Sequence, residues 1–273
     1  MVGNGIFTLL AVAAWLYGLF LALTRTKSLT AKAVVALSLL GLFLGTGVVT
    51  VRAECAEDRG YPYTREAERA LPAIHALELA LTNAEVIVHP GNGRLTLTYK
   101  ARHRAALARM RPEVRLAGDR LILRDDRQPR GTVYRVELTL PRPVVAKIAF
   151  TNGELRAKDR LSALDFSATN GVVRLRDYRP TGTTRISCTN GKVELRAFAP
   201  QGPTRMELMN GAVRVLAARP LKVHARITNG TIRLPGTRRA AAGGAEVTYG
   251  PDQAPPILVR ILNGELDYRE VNP

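Results

Sequence analysis

Residues 168–177 read ATNGVVRLRD, and residues 188–197 read CTNGKVELRA. The same unit occurs as FTNGELRAKD (150–159), MNGAVRVLAA (209–218), TNGTIRLPGT (228–237) and LNGELDYREV (262–271). In chain order the first five Asn-Gly pairs are 18, 20, 20 and 19 residues apart, and the sixth follows after 34. A period near 20 residues indicates one small structural unit that is stacked repeatedly. The predicted repeat turns are Asn152-Gly153, Asn170-Gly171, Asn190-Gly191, Asn210-Gly211, Asn229-Gly230 and Asn263-Gly264.

Apolar residues occupy fixed positions around each Asn: four and two residues before it, and three and five after it. In the second repeat these residues are Phe166, Ala168, Val173 and Leu175. The residues between them are mostly polar, so both flanks are predicted to be strands with one buried face. The buried parity changes across the Gly, which predicts a turn there, and Gly tolerates the positive φ that such a turn often needs.

Two geometries fit this pattern. Asn-Gly between alternating apolar residues is typical of a type I′ hairpin, which would give an antiparallel hairpin stack. Alternatively, each Asn-Gly is a corner of a parallel β-solenoid, in which every repeat forms one coil. We favour the solenoid because equal spacing aligns identical residues, and the Asn side chains could then form a ladder of stacked amides.

The predicted β-strand repeat domain covers residues 72–270. Upstream of the six pairs, Asn83 has the same apolar neighbours but is followed by Ala84. Residues 113–126 and 134–141 are predicted to be further strands, and residues 101–111 a short helix or loop. Residues 54–71 are polar and lack a period, which predicts a linker. Residues 234–256 are rich in Gly, Ala and Pro, which predicts a protruding loop in which Arg238, Arg239 and Tyr249 are weak contact candidates.

Two uncharged apolar stretches, residues 5–24 and 33–51, precede the repeats. As helices each would be about 30 Å long, enough to cross a bilayer. They predict a transmembrane helical hairpin within residues 1–53. The short loop between them contains Arg25, Lys27 and Lys32, which predicts a cytoplasmic loop and an extracytoplasmic C-terminal domain. An alternative is that residues 25–53 act as a secretory signal that is cleaved near Ala53.

The sequence indicates a non-catalytic protein. We find no catalytic motif and no metal-ligand spacing among the four histidines, and we expect no cofactor. Cys188 is predicted to be a small buried residue, although a bridge to Cys55 is an alternative. The formal net charge is +17, yet few aromatic residues accompany the basic ones, so no nucleic-acid partner is expected.

One outward row is mostly basic. Four residues after the Asn stand Arg156, Arg174, Arg214 and Arg233, with Glu194 and Asp267 in the other two repeats. We predict that the four arginines form a face for an anionic ligand such as lipid head groups or wall polymers. The alternative is a solvated face that keeps the strands soluble.

With these repeats after membrane segments, the chain resembles the bacterial putative-adhesin family of β-strand-repeat envelope domains. The resemblance covers residues 72–270 and implies a stacked β-strand domain outside the membrane, without catalytic residues. The function predicted is a membrane-anchored binding, scaffold or envelope-stress module at the cell membrane. The alternatives are a carbohydrate-active β-helix enzyme acting on acidic polysaccharide, and a regulatory module that signals to a membrane-protein partner through the two helices.

Overall fold

The computed structural model describes residues 60–271, apart from the side chain of Ala241. The predicted membrane segments 5–24 and 33–51, and Cys55, lie outside this range. Within residues 60–271 no helix is both long enough and apolar enough to cross a bilayer. The prediction of a membrane anchor therefore stays a prediction.

The described chain is all-β, with one short helix, and its strands form a single 13-stranded sheet. The strands in chain order are β1 (Tyr63–Ala70), β2 (Ala76–Pro90), β3 (Arg94–Ala101), β4 (Glu113–Ala117), β5 (Arg120–Arg124), β6 (Thr132–Leu140), β7 (Val144–Lys158), β8 (Leu161–Arg176), β9 (Thr184–Phe198), β10 (Thr204–Ala217), β11 (Lys222–Leu234), β12 (Thr237–Tyr249) and β13 (Pro256–Glu270). The helix α1 (Arg104–Arg109) lies in the segment predicted to be a helix or loop.

Each Asn-Gly pair lies inside one long strand, so the hairpin alternative is wrong. Equivalent strands pair in parallel, and the pairing places Asn beside Asn and Gly beside Gly, as in Asn170 with Asn190 and Gly171 with Gly191. We call the half of a strand before the Asn its first arm and the half after it its second arm. Every apolar residue at the four predicted positions of the six repeats is buried.

The asparagine side chains form the predicted ladder. Asn152 donates through Nδ2 to Oδ1 of Asn83 at 2.8 Å, and five further bonds of the same kind, 2.7–3.0 Å long, continue to Asn229. At the Asn83 end, the Gln128 side chain accepts from the Asn83 N–H at 2.9 Å and donates to the Asn83 carbonyl at 2.9 Å. The corner of each repeat is thus fixed to its neighbours by side-chain amides as well as by backbone pairing.

Glycine is required at some corners by close backbone approach. At Gly211, Gly230 and Gly264 φ is +150°, +142° and +152°, and an added Cβ would lie 1.8 Å from the carbonyl oxygen of the glycine on a neighbouring strand. At Gly153 φ lies outside the left-handed range, and a Cβ would instead strike the Phe150 ring at 2.3 Å. The expectation of positive φ therefore holds for three of the six corners.

The sheet order departs from the order of the repeats. From one edge the strands follow the order β1-β3-β6-β2-β7-β8-β9-β10-β13-β11-β12. Off this path, β5 pairs with β2, and β4 pairs with β5. Strand β13 pairs in parallel with both β10 and β11, so Asn263 lies between Asn210 and Asn229 in the ladder. The sixth repeat is therefore inserted between the fourth and fifth instead of being added at the end.

The segment predicted as a protruding loop, residues 234–256, contains β12 instead, so that prediction is wrong. Strand β12 pairs antiparallel with β11 and forms one edge of the sheet. Gly243 and Gly244, with φ of +94° and +116°, stand opposite the single residue Thr228. This two-glycine bulge lets an antiparallel strand follow the corner of β11.

Part of the predicted linker is also a strand. Residues 63–70 form β1, which pairs antiparallel with β3 at the other edge of the sheet. All its residues are exposed, and it pairs through its backbone while carrying charged side chains such as Arg65 and Glu66. Charged edge strands of this kind resist pairing with further chains.

The core is formed by buried side chains of the first and second arms. Phe150 and Phe166 pack edge to face with ring centroids 5.7 Å apart, and Tyr178 stacks on Phe198 at 5.8 Å. Cys188 is a free, buried thiol in this core, as predicted. Burial raises the pKa of the Cys188 thiol to about 11, so it is neutral at physiological pH.

Candidate functional site

The four predicted arginines lie on the outward side of the second arms, but they do not form one continuous basic row. Along the sheet, Glu194 stands between Arg174 and Arg214. Asp267 stands between Arg214 and Arg233, because β13 separates β10 from β11. From Arg174 onward the row therefore alternates in sign.

Arg156 and Arg174, the first two members of the row, are ion-paired. Arg156 Nε lies 2.6 Å from Glu154 Oε1, and its Nη1 lies 3.5 Å from Glu85 Oε1. Arg174 contacts Glu154 and also lies 3.3 Å from Glu194 Oε2. The charges of these two arginines are therefore largely compensated by Glu85, Glu154 and Glu194.

The other end of the row surrounds a hollow of about 350 Å³. The acids beside it are held by other cations: Glu194 Oε1 lies 2.6 Å from Lys192 Nζ, and Asp267 Oδ2 lies 3.0 Å from Arg269. The hydrogen bond from Lys192 holds the pKa of Glu194 below its usual range, so this carboxylate is ionised. Arginines therefore outnumber acids around the hollow. Its charged lining consists of Arg196, Arg214, Arg233 and Arg269 together with Glu194 and Asp267.

A second surface, which sequence reasoning missed, lies on the outward side of the first arms. It is a groove of about 740 Å³ that crosses β8, β9, β10, β13 and β11. Two rows line it: the residues one before each Asn and the residues three before each Asn. The sequence does show serine and threonine repeated at these two positions, which could have indicated a polar surface. Only the sheet order, however, places Arg226 beside Arg260. The side chains that line the groove from these two rows are Ser167, Thr169, Ser187, Thr189, Glu207, Met209, Arg226, Thr228, Arg260 and Leu262.

Within residues 60–271 no group of three or more His, Cys, Asp or Glu side chains is placed to hold a metal ion. His75 and His89 each lie 2.9 Å from one carboxylate, of Asp119 and Glu137 respectively. One buried carboxylate, Asp125, accepts a hydrogen bond from the Tyr134 hydroxyl. Burial and this bond raise the pKa of Tyr134, so the pair is a buried structural contact and not an exposed reactive group.

The fold and these two surfaces define an all-β repeat protein with extended, solvent-facing rows of side chains. The structure is similar to that of a putative cell adhesion protein from Clostridium sporogenes, at 11% identity and a TM-score of 0.41, over 77% of this chain and 100% of that one. It is also similar to a putative adhesin from Bacteroides fragilis, at 10% identity and a TM-score of 0.38, over 76% and 98%. A putative lipid binding protein from Parabacteroides distasonis matches at 8% identity and a TM-score of 0.27, over 77% and 98%.

No protein-family model matches the chain, and no curated protein matches it. These solved structures include putative adhesins, the group that the repeats resemble.

Proposed function

We propose that this chain is a membrane-anchored, extracytoplasmic β-solenoid that acts as a non-catalytic binding module for anionic envelope polymers or lipid head groups. The anchor rests on the two apolar stretches 5–24 and 33–51 and on the basic loop between them. The solenoid and the binding role rest on the geometry of residues 60–271.

Chain length supports a coil in each repeat. Strand β8 has 16 residues, which would span about 50 Å if it were straight. The connection to β9, residues 177–183, spans at most about 28 Å when fully extended. Since β8 and β9 are parallel neighbours, the end of β8 must come back near its own beginning. A bend at Asn170-Gly171 that folds the second arm back over the first satisfies this requirement.

The binding role rests on one observation, the excess of arginine around the hollow at Arg214. The neighbouring acids Glu194 and Asp267 already contact Lys192 and Arg269, which leaves Arg214 available to an external anion. Arginine binds phosphate and carboxylate oxygens through a planar fork of donors. The anionic-ligand face of the proposal is therefore centred on Arg214. Arg233 lies beside it, with its Nε 3.3 Å from Glu265 Oε1, and the ion-paired Arg156 and Arg174 contribute less.

The alternative of a polysaccharide-cleaving enzyme finds less support. Such chemistry generally needs a carboxylic acid with a raised pKa beside a second carboxylate. Glu194 and Glu78 instead have pKa values below the usual range, because hydrogen bonds from Lys192 and Arg124 stabilise their ionised forms. Ionised, ion-paired carboxylates are poor general acids.

The test uses the full chain in nanodiscs of neutral lipid, with soluble poly(glycerol phosphate) and vesicles of phosphatidylglycerol or phosphatidylcholine as probes. The double variant R214Q/R233Q, which includes the uncompensated Arg214, is compared with R156Q/R174Q, which removes the same number of charges where both arginines are ion-paired. We expect R214Q/R233Q to weaken binding to the anionic probes roughly tenfold or more, and R156Q/R174Q to do so much less. Equal losses in the two variants, or equal binding to phosphatidylcholine, would count against the hollow.

The proposed orientation has its own test. In cells whose outer layers have been made permeable to protease, we expect the region after residue 60 to be digested while the loop at Arg25–Lys32 is protected. Digestion of the C-terminal region only after the membrane is lysed would place it in the cytoplasm and contradict the proposal.

A further inference from the structure

The groove on the first arms presents three kinds of side chain in two adjacent rows. The row three residues before each Asn runs in register from Ser167 through Ser187, Glu207 and Arg260 to Arg226. Neighbouring strands are about 4.8 Å apart, so this row is about 19 Å long. Its first half offers hydroxyl groups above a shallow floor, and its second half offers charge.

The row next to the corner contains an exposed apolar pair. It carries threonine on β8, β9 and β11, but Met209 on β10 and Leu262 on β13. These two side chains are 51% and 43% exposed, and both line the groove. Because β13 is inserted beside β10, the two apolar side chains lie on adjacent strands and form one patch. Neither side chain is needed in the core, which lies on the other side of the sheet.

The charged end of the groove favours an anion. Glu207 is engaged by Arg205, whose Nε lies 2.9 Å away, and by Arg260 at 3.8 Å. Arg226 stands opposite Glu246 of β12 in the register, without an ion pair between them in the described range. This end of the groove therefore has more arginines than glutamates, and Arg226 and Arg260 stand on adjacent strands. The charged residues counted are Arg205, Arg226 and Arg260 against Glu207 and Glu246.

A linear saccharide with an acidic sugar at one end matches this sequence of surfaces. Its hydroxyl groups would pair with the serine and threonine rows, the C–H face of a sugar ring would lie on Met209 and Leu262, and its carboxylate would meet Arg226 and Arg260. A pyranose ring is about as wide as one strand spacing, so successive rings can repeat the same contacts. An extended peptide advances about 3.3 Å per residue and falls out of step with strands about 4.8 Å apart.

We infer that this groove is a second binding site, on the face opposite the arginine hollow, for a linear saccharide that ends in a uronic acid. The site needs no membrane lipid and does not depend on the hollow. Its contacts are non-covalent.

The test measures binding by titration calorimetry to the full chain in neutral nanodiscs. The probes are a linear glucan tetrasaccharide with a terminal glucuronate, the same tetrasaccharide without the carboxylate, and a Gly-Ser peptide of equal length that ends in Glu. The variants are R226Q/R260Q, the floor-filling S167I/S187I, and R104Q/R109Q in the helix α1 as the control with matched charge outside both surfaces. Isoleucine suits a strand position, and a thermal melt of each variant shows that it is folded.

We expect R226Q/R260Q to weaken binding of the acidic tetrasaccharide roughly tenfold or more, since charge-assisted hydrogen bonds are lost. S167I/S187I should weaken the acidic and neutral tetrasaccharides alike, and R104Q/R109Q should leave both within about twofold.

Three results would overturn the inference: no binding of the acidic tetrasaccharide, equal losses in R226Q/R260Q and R104Q/R109Q, or equal binding of the Glu-terminated peptide. The effect of R214Q/R233Q on poly(glycerol phosphate) binding tests only the hollow. A failure of the groove proposal can therefore be distinguished from a failure of the proposed function.

Discussion

Removal of one amide from the middle of the asparagine ladder should destabilise the whole stack. Asn190 donates to Asn170 at 3.0 Å and accepts from Asn210 at 2.9 Å, so Asn190→Ala removes two hydrogen bonds. A typical bond contributes about 0.5–1.5 kcal/mol net, which gives roughly 1–3 kcal/mol for two. Because these side chains are exposed and water can replace part of the loss, we expect about 1–2 kcal/mol.

The assay is thermal unfolding of the full chain in detergent micelles, followed by far-UV circular dichroism. For a domain of this size 1 kcal/mol shifts Tm by about 2–4 °C, so Asn190→Ala should lower Tm by about 2–8 °C. The neighbouring Thr189→Ala is the control, because it shortens a side chain beside the corner and leaves the ladder intact. Asn229→Ala, at the end of the ladder, removes one bond and should cost about half as much.

A double-mutant cycle makes this reasoning refutable. Asn190→Ala and Asn210→Ala each remove two bonds, but they share one, so the double variant removes three. The double variant should therefore be less destabilised than the sum of the singles, by about one bond or 0.5–1.5 kcal/mol. Strict additivity, or a loss in Asn190→Ala no larger than in Thr189→Ala, would show that the amides contribute nothing beyond backbone pairing.

Two further predictions concern close packing in the stack. Gly211→Ala should destabilise the fold by about 2–5 kcal/mol, because it adds backbone strain and overpacks against Gly191. Gly236→Ala, at φ +69° with open space around it, should cost only about 1–2 kcal/mol in the same thermal assay. Similar losses in the two variants would refute the close-approach argument. In the folded state the pKa of Cys188 is raised to about 11. The protonated thiol should therefore contribute its full stabilisation below the ordinary thiol pKa near 9, and the free energy of unfolding should fall by about 2–3 kcal/mol as the pH rises to 11. The Cys188→Ala variant should lack this part of the alkaline loss in urea titrations between pH 8 and 11, and parallel pH profiles in the two proteins would contradict a buried thiol.

Local features of the repeats could be predicted because each depends on a few neighbouring residues. The alternation around Asn170 predicts both arms and the change of parity, and the inward position of Cys188 follows from the same alternation. The equal spacing predicts that the asparagines align in a ladder. These features need no knowledge of which repeat lies beside which.

Sheet order could not be predicted, because periodicity gives the length of a repeat and not its neighbour. The interval of 34 residues before Asn263 was the only signal of an irregular step, and its Gly- and Ala-rich composition suggested a loop. Gly243 and Gly244 instead allow β12 to bend along β11. Similarly, β1 has no apolar alternation because both its faces are exposed, so nothing in its sequence predicted a strand.

The candidate site was predicted in part for the same reason. The outward direction of Arg214 and Arg233 follows from the strand period, but their separation by Asp267 depends on the insertion of β13. The compensation of Arg156 by Glu85 joins residues 71 positions apart in the sequence, a contact that only the fold creates.

The position of β13 between β10 and β11 is the central structural claim, because both proposed binding surfaces depend on it. Ala212 and Glu265 are register partners on adjacent strands, whereas Thr231 lies one strand further away. In a full chain with Cys55→Ser and Cys188→Ala, the pair A212C/E265C should form a disulfide, since partner Cα atoms about 5 Å apart are within bonding range. The pair A212C/T231C, about 10 Å apart, should not. A disulfide in A212C/T231C and none in A212C/E265C, read by peptide mass mapping, would contradict the structure.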